Sequence, residues 1–339
     1  MAGWLARRDL LVTDTPPVFE HVVTQASDTF LWRHDDYPCE RNGWNIHPEF
    51  EIHLITNAAG VALVGDHIGR FAPGHLSIVG GGLPHDWVTD LGPSEVVRGR
   101  DVVLQFDADR VGRAGAAFPE LLEVLPFLAR AQRGLAFHGA ARAAGASLME
   151  RIGPARGVER LALFVQLLHV LSRTKDYTHL SSERFTPVVD PAALDLIQRA
   201  LAYVLDHFIT DLRIGDVAAM AGMTESTFSR FFKRNTGNSF TDHVTKLRVS
   251  RACNLLAHSS LPVTSICYEA GYSNISNFNR NFRKQRGDTP SACRRLARCR
   301  TWCIHAGPPV MARARRSLAL RQITGFLHRR PLNRAAAGC

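Results

Sequence analysis

Residues 263–284, VTSICYEAGYSNISNFNRNFRK, decide the reading of this chain, because their plan has already appeared once at residues 214–234, IGDVAAMAGMTESTFSRFFKR. Each stretch opens with a short helical run, reaches a glycine (Gly222 or Gly271) and resumes as a second apolar-periodic run. Glycine takes the positive φ that a tight turn between helices needs, and Ala218 or Cys267, four residues earlier, is small enough for the helices to cross closely. Thr224 is placed to cap the second helix of the first unit. With a one-residue insertion, Phe228, Arg230 and Phe232 fall on Phe278, Arg280 and Phe282. One helix pair with a glycine turn is commonplace; the same pair twice predicts two helix-turn-helix units.

Between the units, residues 240–257 contain neither Gly nor Pro, and predict one helix of about 27 Å at ~1.5 Å per residue. That approaches the ~34 Å of one DNA turn, so the two second helices can enter successive major grooves on one face. In the first, Phe228, Phe231 and Phe232 supply the buried side, which turns Ser226, Ser229 and Arg230 outward. In the second, Ser276, Asn277 and Arg280 are the outward set. Arg clamps O6/N7 of guanine, Asn suits the N6/N7 edge of adenine, and Ser is an adaptable donor or acceptor. Lys233, Arg234, Arg283 and Lys284 suit phosphates, which give affinity and register without reading sequence. Ile275 either touches a thymine methyl or packs inward.

Charge supports nucleic acid only weakly. The net +10 divides into −5 over residues 1–190, +4 over 191–288 and +11 over 289–339, so an Arg-rich tail supplies the excess. A non-specific DNA-binding protein driven by that tail is one alternative. With 339 residues, 45% hydrophobic and 21% charged, the chain is long enough for two cores. It carries no long apolar run and no signal-peptide pattern, so a cytoplasmic protein away from membranes is expected. Seven cysteines without a CxxC pair are expected to be reduced thiols; Cys299, Cys303 and His305 make only half a zinc site.

Upstream, residues 30–106 alternate short apolar runs with turn signals at 57–60, 65–66, 73–74 and 80–82, which predicts a small barrel of short strands. Helical spacing then predicts helices over 118–130, 140–152 and 158–173. In the last, Leu161, Phe164, Val165, Leu168 and Leu171 form an apolar stripe that either packs on the barrel or makes a dimer seam. Residues 174–190 are polar and aperiodic and read as a linker, and a helix starts at Asp190-Pro191. The expected class is α+β in two domains: 1–173 for sensing and dimerisation, 191–298 all-α with two helix-turn-helix units, and a mostly disordered tail over 299–339.

The stretches FSRFFKRNTGNSF (228–240), RVSRACNLL (248–256) and ICYEAGYSNISNFNRNFRKQRGDTPSACRR (266–295) closely resemble the C-terminal DNA-binding domain of the AraC family of bacterial regulators, over about residues 195–295. Cys293 stands where that family usually has Tyr. The resemblance implies an effector-responsive activator of nearby genes rather than an enzyme, with promoter half-sites of double-stranded DNA as partner, RNA polymerase as a second and a homodimer as working form.

The N-terminal segment resembles the cupin-like arm of the same family at Asn45-Ile-His47-Pro-Glu49-Phe-Glu51, Pro73-Gly74 and Gly82-Leu-Pro84-His85. Metal-binding cupins use His-x-His-x3-Glu and a later His, and Asn45, His47, Glu51 and His85 occupy those places. Three roles stay open for this set. With Trp44 and Trp87, and Glu49 or His53 nearby, it binds an effector such as a sugar, polyol or aromatic acid; or it is a structural polar core; or His47, Glu51 and His85 ligate a metal, as in a cupin enzyme fused to a DNA-binding arm. No cofactor is expected.

Overall fold

The computed structural model describes residues 29–39, 42–89, 91, 95–187 and 190–295. The expectations for the tail over 299–339, including Cys299, Cys303 and His305, lie outside the described residues, which fall in one compact unit.

The N-terminal half opens with β1 (Phe30–Tyr37), β2 (Phe50–Ile55), β3 (Gly60–Val64), β4 (His67–Phe71), β5 (His75–Val79), β6 (His85–Val88) and β7 (Val97–Phe106). After α1 (Ala108–Ala114), a 3-10 turn (Pro119–Val124) and α2 (Leu125–Ala131) come β8 (Leu135–Phe137), α3 (Gly139–Ile152), α4 (Gly157–Arg173) and β9 (Tyr177–His179). The strands do not close into the single barrel expected. They form a six-stranded sheet, β1-β7-β2-β5-β8-β9, and a three-stranded sheet, β4-β3-β6, to whose β6 Asn45, outside the named strands, adds an isolated bridge at His85. The smaller sheet ends at β4, which lies against a C-terminal helix instead of pairing with a further strand.

Alternation along each strand sorts side chains between two cores. Ile52 and Leu54 of β2, Ile78 of β5 and Leu104 of β7 face the helices, where Phe164, Leu167 and Leu168 of α4 cover them. Ile55 and Val79 face the smaller sheet and meet Ala62, Val64 and Trp87. Within the α4 stripe Phe164, Leu168 and Leu171 are buried, whereas Leu161 is 42% exposed. The helix predicted over 118–130 divides, because Pro126 lacks an N–H and sits in the first turn of α2. The segment 174–190 is not an open linker: β9 pairs with β8, and the Ser181 hydroxyl and Ser182 N–H donate to Asp66 Oδ1 at 3.0 and 2.8 Å. Its polar residues are otherwise mostly exposed, and Ser181 is the buried one among them.

The C-terminal half is helical: α5 (Pro191–His207), α6 (Ile214–Met220), α7 (Glu225–Thr236), α8 (Phe240–His258), α9 (Val263–Glu269) and α10 (Ile275–Arg286). Two cores lie within it. Phe228, Phe232 and Leu247 pack with α5, and Trp44, Leu63 and Val88 of the N-terminal half join that same cluster. The second core, around Phe278, Phe282, Leu256 and Cys267, is separate. No helix among the described residues is long and apolar enough to cross a membrane.

Candidate nucleic-acid interface and sensor site

The two helix-turn-helix units are built alike. Gly222 and Gly271 turn the chain at φ +65° and +86°, and Ala218 and Cys267 are buried at the crossings. Thr224 Oγ1 accepts from Thr227 N–H at 3.3 Å to cap α7, and Asn274 Oδ1 accepts from Asn277 N–H at 2.8 Å to cap α10. Both helices end on left-handed glycines, Gly237 and Gly287, at φ +70° and +72°. Phe228, Phe232, Phe278 and Phe282 are all fully buried, which fixes the outer faces. Helix α8 joins the units and spans 19 residues, about 28 Å at 1.5 Å per residue.

On those outer faces Ser226, Arg230, Lys233 and Arg234 of α7 and Ser276, Arg280, Arg283 and Lys284 of α10 are exposed. Ser229 and Asn277 are half-buried. Asn277 departs from its expected independence: its Oδ1 accepts from Arg280 Nη2 at 2.9 Å and from Asn281 Nδ2 at 3.2 Å, so Asn277 and Arg280 form one bonded pair. Ile275 packs against the second core. The Asn274 cap and the Asn281 contact were absent from the sequence reading; the Asn-x-x-Asn spacing from 274 to 277 is the signal that could have marked the cap.

The N-terminal half grips this domain at the β3–β4 turn. Lys246 Nζ donates to the Asp66 carbonyl at 2.9 Å and to Asn238 Oδ1 at 2.7 Å, and Asn238 Nδ2 donates to the same carbonyl at 2.9 Å. Arg70 of β4 adds a long bond, 3.4 Å, to the Ser250 carbonyl of α8. Trp44, predicted to line the sensor pocket, instead packs in the core shared with α5.

The buried polar cluster forms between the sheets. His47 Nε2 lies 3.3 Å from Glu51 Oε2 and His85 Nε2 lies 3.6 Å from Glu51 Oε1. His47 Nδ1 donates to the Glu49 carbonyl at 3.0 Å and His85 Nδ1 to the Leu83 carbonyl at 2.8 Å. A carbonyl only accepts, so each Nδ1 carries a hydrogen; each Nε2 then donates to Glu51 when the ring is charged and offers a lone pair to a metal ion when it is neutral. Donor atoms of His47, Glu51 and His85 all lie within 4.8 Å of one another. Gln105 Nε2 donates to Glu51 Oε2 at 2.9 Å. Burial raises the Glu51 pKa, but the His85 charge and hydrogen bonds from His47, His53 and His85 outweigh it and hold the carboxyl well below its usual range.

His53 extends the cluster. Its Nδ1 lies 3.0 Å from Glu51 Oε1 and its Nε2 2.9 Å from Asp101 Oδ1. Burial disfavours its charge, yet Asp101 and then Glu51 lift it to about 8. Arg100, 1% exposed, bonds both Asp101 oxygens at 2.9 Å. Trp87 packs near His53 at 4.2 Å, and Asn45 reaches the cluster through its backbone bridge to His85. A cavity of about 40 Å³ lies here, lined by Glu51, His53, His85, Arg100 and Asp101. Gln105, Asp101 and Arg100 escaped the sequence reading, although Asp101 and Gln105 share a face of β7 two by two with Val103.

Residues 217–296 match the family described as a helix-turn-helix domain. The regulatory protein PocR of Salmonella typhimurium is 36% identical over 98 residues, which cover 29% of this chain and 32% of PocR. The transcriptional activator RhaS of Escherichia coli is 30% identical over 126 residues, 37% of this chain and 42% of RhaS. Among solved structures, the C-terminal domain of AraT, a response regulator from Geobacillus stearothermophilus, is 32% identical over 30% of this chain and 84% of that one, with a TM-score of 0.29. The chain thus spans less than half the length of either curated relative. Its C-terminal region is an AraC-type helix-turn-helix domain.

Proposed function

We propose that this chain is a sequence-specific transcription regulator, an activator, whose N-terminal cupin-like domain senses an effector. The observation that carries this reading is the pair of recognition helices, α7 and α10, each exposing an arginine and a basic last turn at opposite ends of one 19-residue helix. Arg230 and Arg280 read bases; Lys233, Arg234, Arg283 and Lys284 hold phosphates. Ser226, Ser229 and Ser276 adjust to neighbouring base edges, and the bonded Asn277–Arg280 pair approaches the groove as one unit. A homodimer, through the exposed Val158 and Leu161 edge of α4, and RNA polymerase are the partners this reading adds. Arg230→Ala and Arg280→Ala should each weaken binding to the preferred duplex by about 5- to 150-fold, the ~1–3 kcal/mol of one base contact. Wild-type footprints from both variants would reject the assignment.

A second reading concerns what is sensed. A sugar, polyol or aromatic acid occupies a site of ~300 Å³ or more, so such an effector requires the cluster around Glu51 to open. A divalent transition-metal ion suits His47, Glu51 and His85, whose donor atoms all lie within 4.8 Å of one another, with each of the two imidazole Nδ1 atoms already tied to a carbonyl. Elemental analysis of purified protein separates the two: bound metal lost in His85→Ala supports the ion, and metal-free protein that a polyol or acid stabilises supports the larger effector.

A further inference from the structure

A cleft of about 410 Å³ separates the two helix-turn-helix units. Thr241 and Thr245 line it from α8, Arg280 and Lys284 from α10, and Tyr272 from the second turn. The edge of α10 that carries the proposed base-reading Arg280 is therefore also a wall of this cleft. Its charge favours an anion: Arg248, Arg280 and Lys284 face a single carboxylate, Asp242. That carboxylate is already held by the Ser239 hydroxyl, at 2.7 Å, in the cap of α8. Arg248 donates to the Phe208 and Thr210 carbonyls at 2.6 and 2.9 Å, so it contributes field more than direct bonds.

Tyr272 supplies an independent sign of a missing partner. The residue is 4% exposed, and its buried hydroxyl has the Asn281 side chain as an electrostatic neighbour but no hydrogen bond of good geometry. A buried hydroxyl left so is unfavourable unless something binds it. The geometry of the whole domain limits what that is. If α7 and α10 enter successive major grooves, the duplex between them turns its minor groove toward the protein, and the backbone strands bordering it pass the gap between the units.

We propose that this cleft seats DNA backbone phosphate between the two half-sites, with Thr241 and Thr245 as hydrogen-bond donors and Lys284 as the neutralising charge. The inference rests on the DNA-binding reading above and adds a third contact, one that sets the register of the two recognition helices without reading bases. Thr241 and Thr245 become positioning residues for sequence recognition.

The test uses the full chain and a duplex selected by it from a random pool. Ethylation of phosphates between the two protected half-sites should interfere with binding. The double variant Thr241→Val/Thr245→Val should bind about three- to tenfold more weakly to the selected duplex and to duplexes with one changed base pair alike, leaving their ratio unchanged. Unchanged thermal unfolding of the variant separates this from misfolding, and Thr245→Ser should restore part of the affinity lost at that position. Silent ethylation between the half-sites overturns the proposal, and so does wild-type affinity in the double variant. Should inorganic phosphate perturb Tyr272 while ethylation stays silent, the cleft takes a free anion and the DNA assignment is wrong. Failure to select any duplex rejects the DNA-binding reading itself, and this inference with it; selection followed by silent ethylation rejects only the cleft.

Discussion

Replacing His243 by Leu should stabilise the protein, and by more in acid than at neutral pH. His243 sits on α8, 3% exposed, edge-on to the Phe232 ring at 5.2 Å. Neither ring nitrogen makes a hydrogen bond. A buried polar group in that state costs about 1–3 kcal/mol, so a leucine of similar volume should gain about 1–2 kcal/mol at pH 7.5 after the lost ring contact is deducted. The acid effect follows from linkage. Burial, then the Lys246 charge, pushes His243 from 6.5 down to about 3 in the folded state. Below pH 6.5 the unfolded chain takes up a proton that the folded chain refuses, so stability falls by about 1.4 kcal/mol per pH unit until about pH 3. At pH 5.0 the wild type has lost about 2 kcal/mol through this residue, and the Leu variant has lost none of it. The gap between them should widen to about 3–4 kcal/mol, read as urea midpoints followed by far-UV circular dichroism at the two pH values. A gap that stays constant from pH 7.5 to 5.0 would refute the burial of an uncharged, unpartnered imidazole, and so would a Leu variant less stable at both.

The two turn glycines should differ in tolerance although their roles match. At Gly222 a Cβ meets open space, so Gly222→Ala should cost only the left-handed strain of about 1–2 kcal/mol, whereas at Gly271 a Cβ would come 2.7 Å from Ile209 Cα and Gly271→Ala should unfold the second unit; equal thermal shifts would contradict this. Lys246→Met removes donors to Asp66 and Asn238 and should cost about 1–2 kcal/mol, with faster hydrogen exchange in residues 60–71. Unchanged exchange there would mean that the β3–β4 turn is held by its apolar contacts alone. Lys233→Ala and Arg283→Ala should weaken binding evenly across DNA sequences and each lower the salt slope by about 1, unlike the arginine variants, which alter preference.

What could be read in the sequence was local and repeated. Gly222 and Gly271, Ala218 and Cys267, and the paired phenylalanines each state a constraint that the neighbouring residues satisfy, so the helix-turn-helix units and the joining helix were legible to within a residue or two. Helix α4 was legible in extent, but the fate of its stripe was not, because Leu161 and Phe164 are chemically alike and only the position of the sheet buries one and exposes the other. The polar segment 174–190 misled for a related reason: Ser181 and Ser182 answer to Asp66, more than a hundred residues away, and composition carries no record of such a partner. The strands between 30 and 106 were legible as strands, yet nothing in their spacing told that β4 would lie on α8 rather than close a barrel. At the sensor cluster His47, Glu51 and His85 stood out by residue type, while Gln105, Asp101 and Arg100 join through strand pairing. Trp44 is next to Asn45 in sequence, yet it packs with Ile197, Leu201 and Val204 of α5, a partner that lies too far along the chain for local pattern to name.

The most direct test is a hydroxyl-radical footprint of the full chain on a duplex it has selected from a random pool. Two protected patches on one face of the duplex, about one helical turn apart, each shifted or lost when Arg230 or Arg280 is changed to Ala, are the predicted result. Uniform protection along the duplex, with equal affinity for scrambled DNA, would contradict the account.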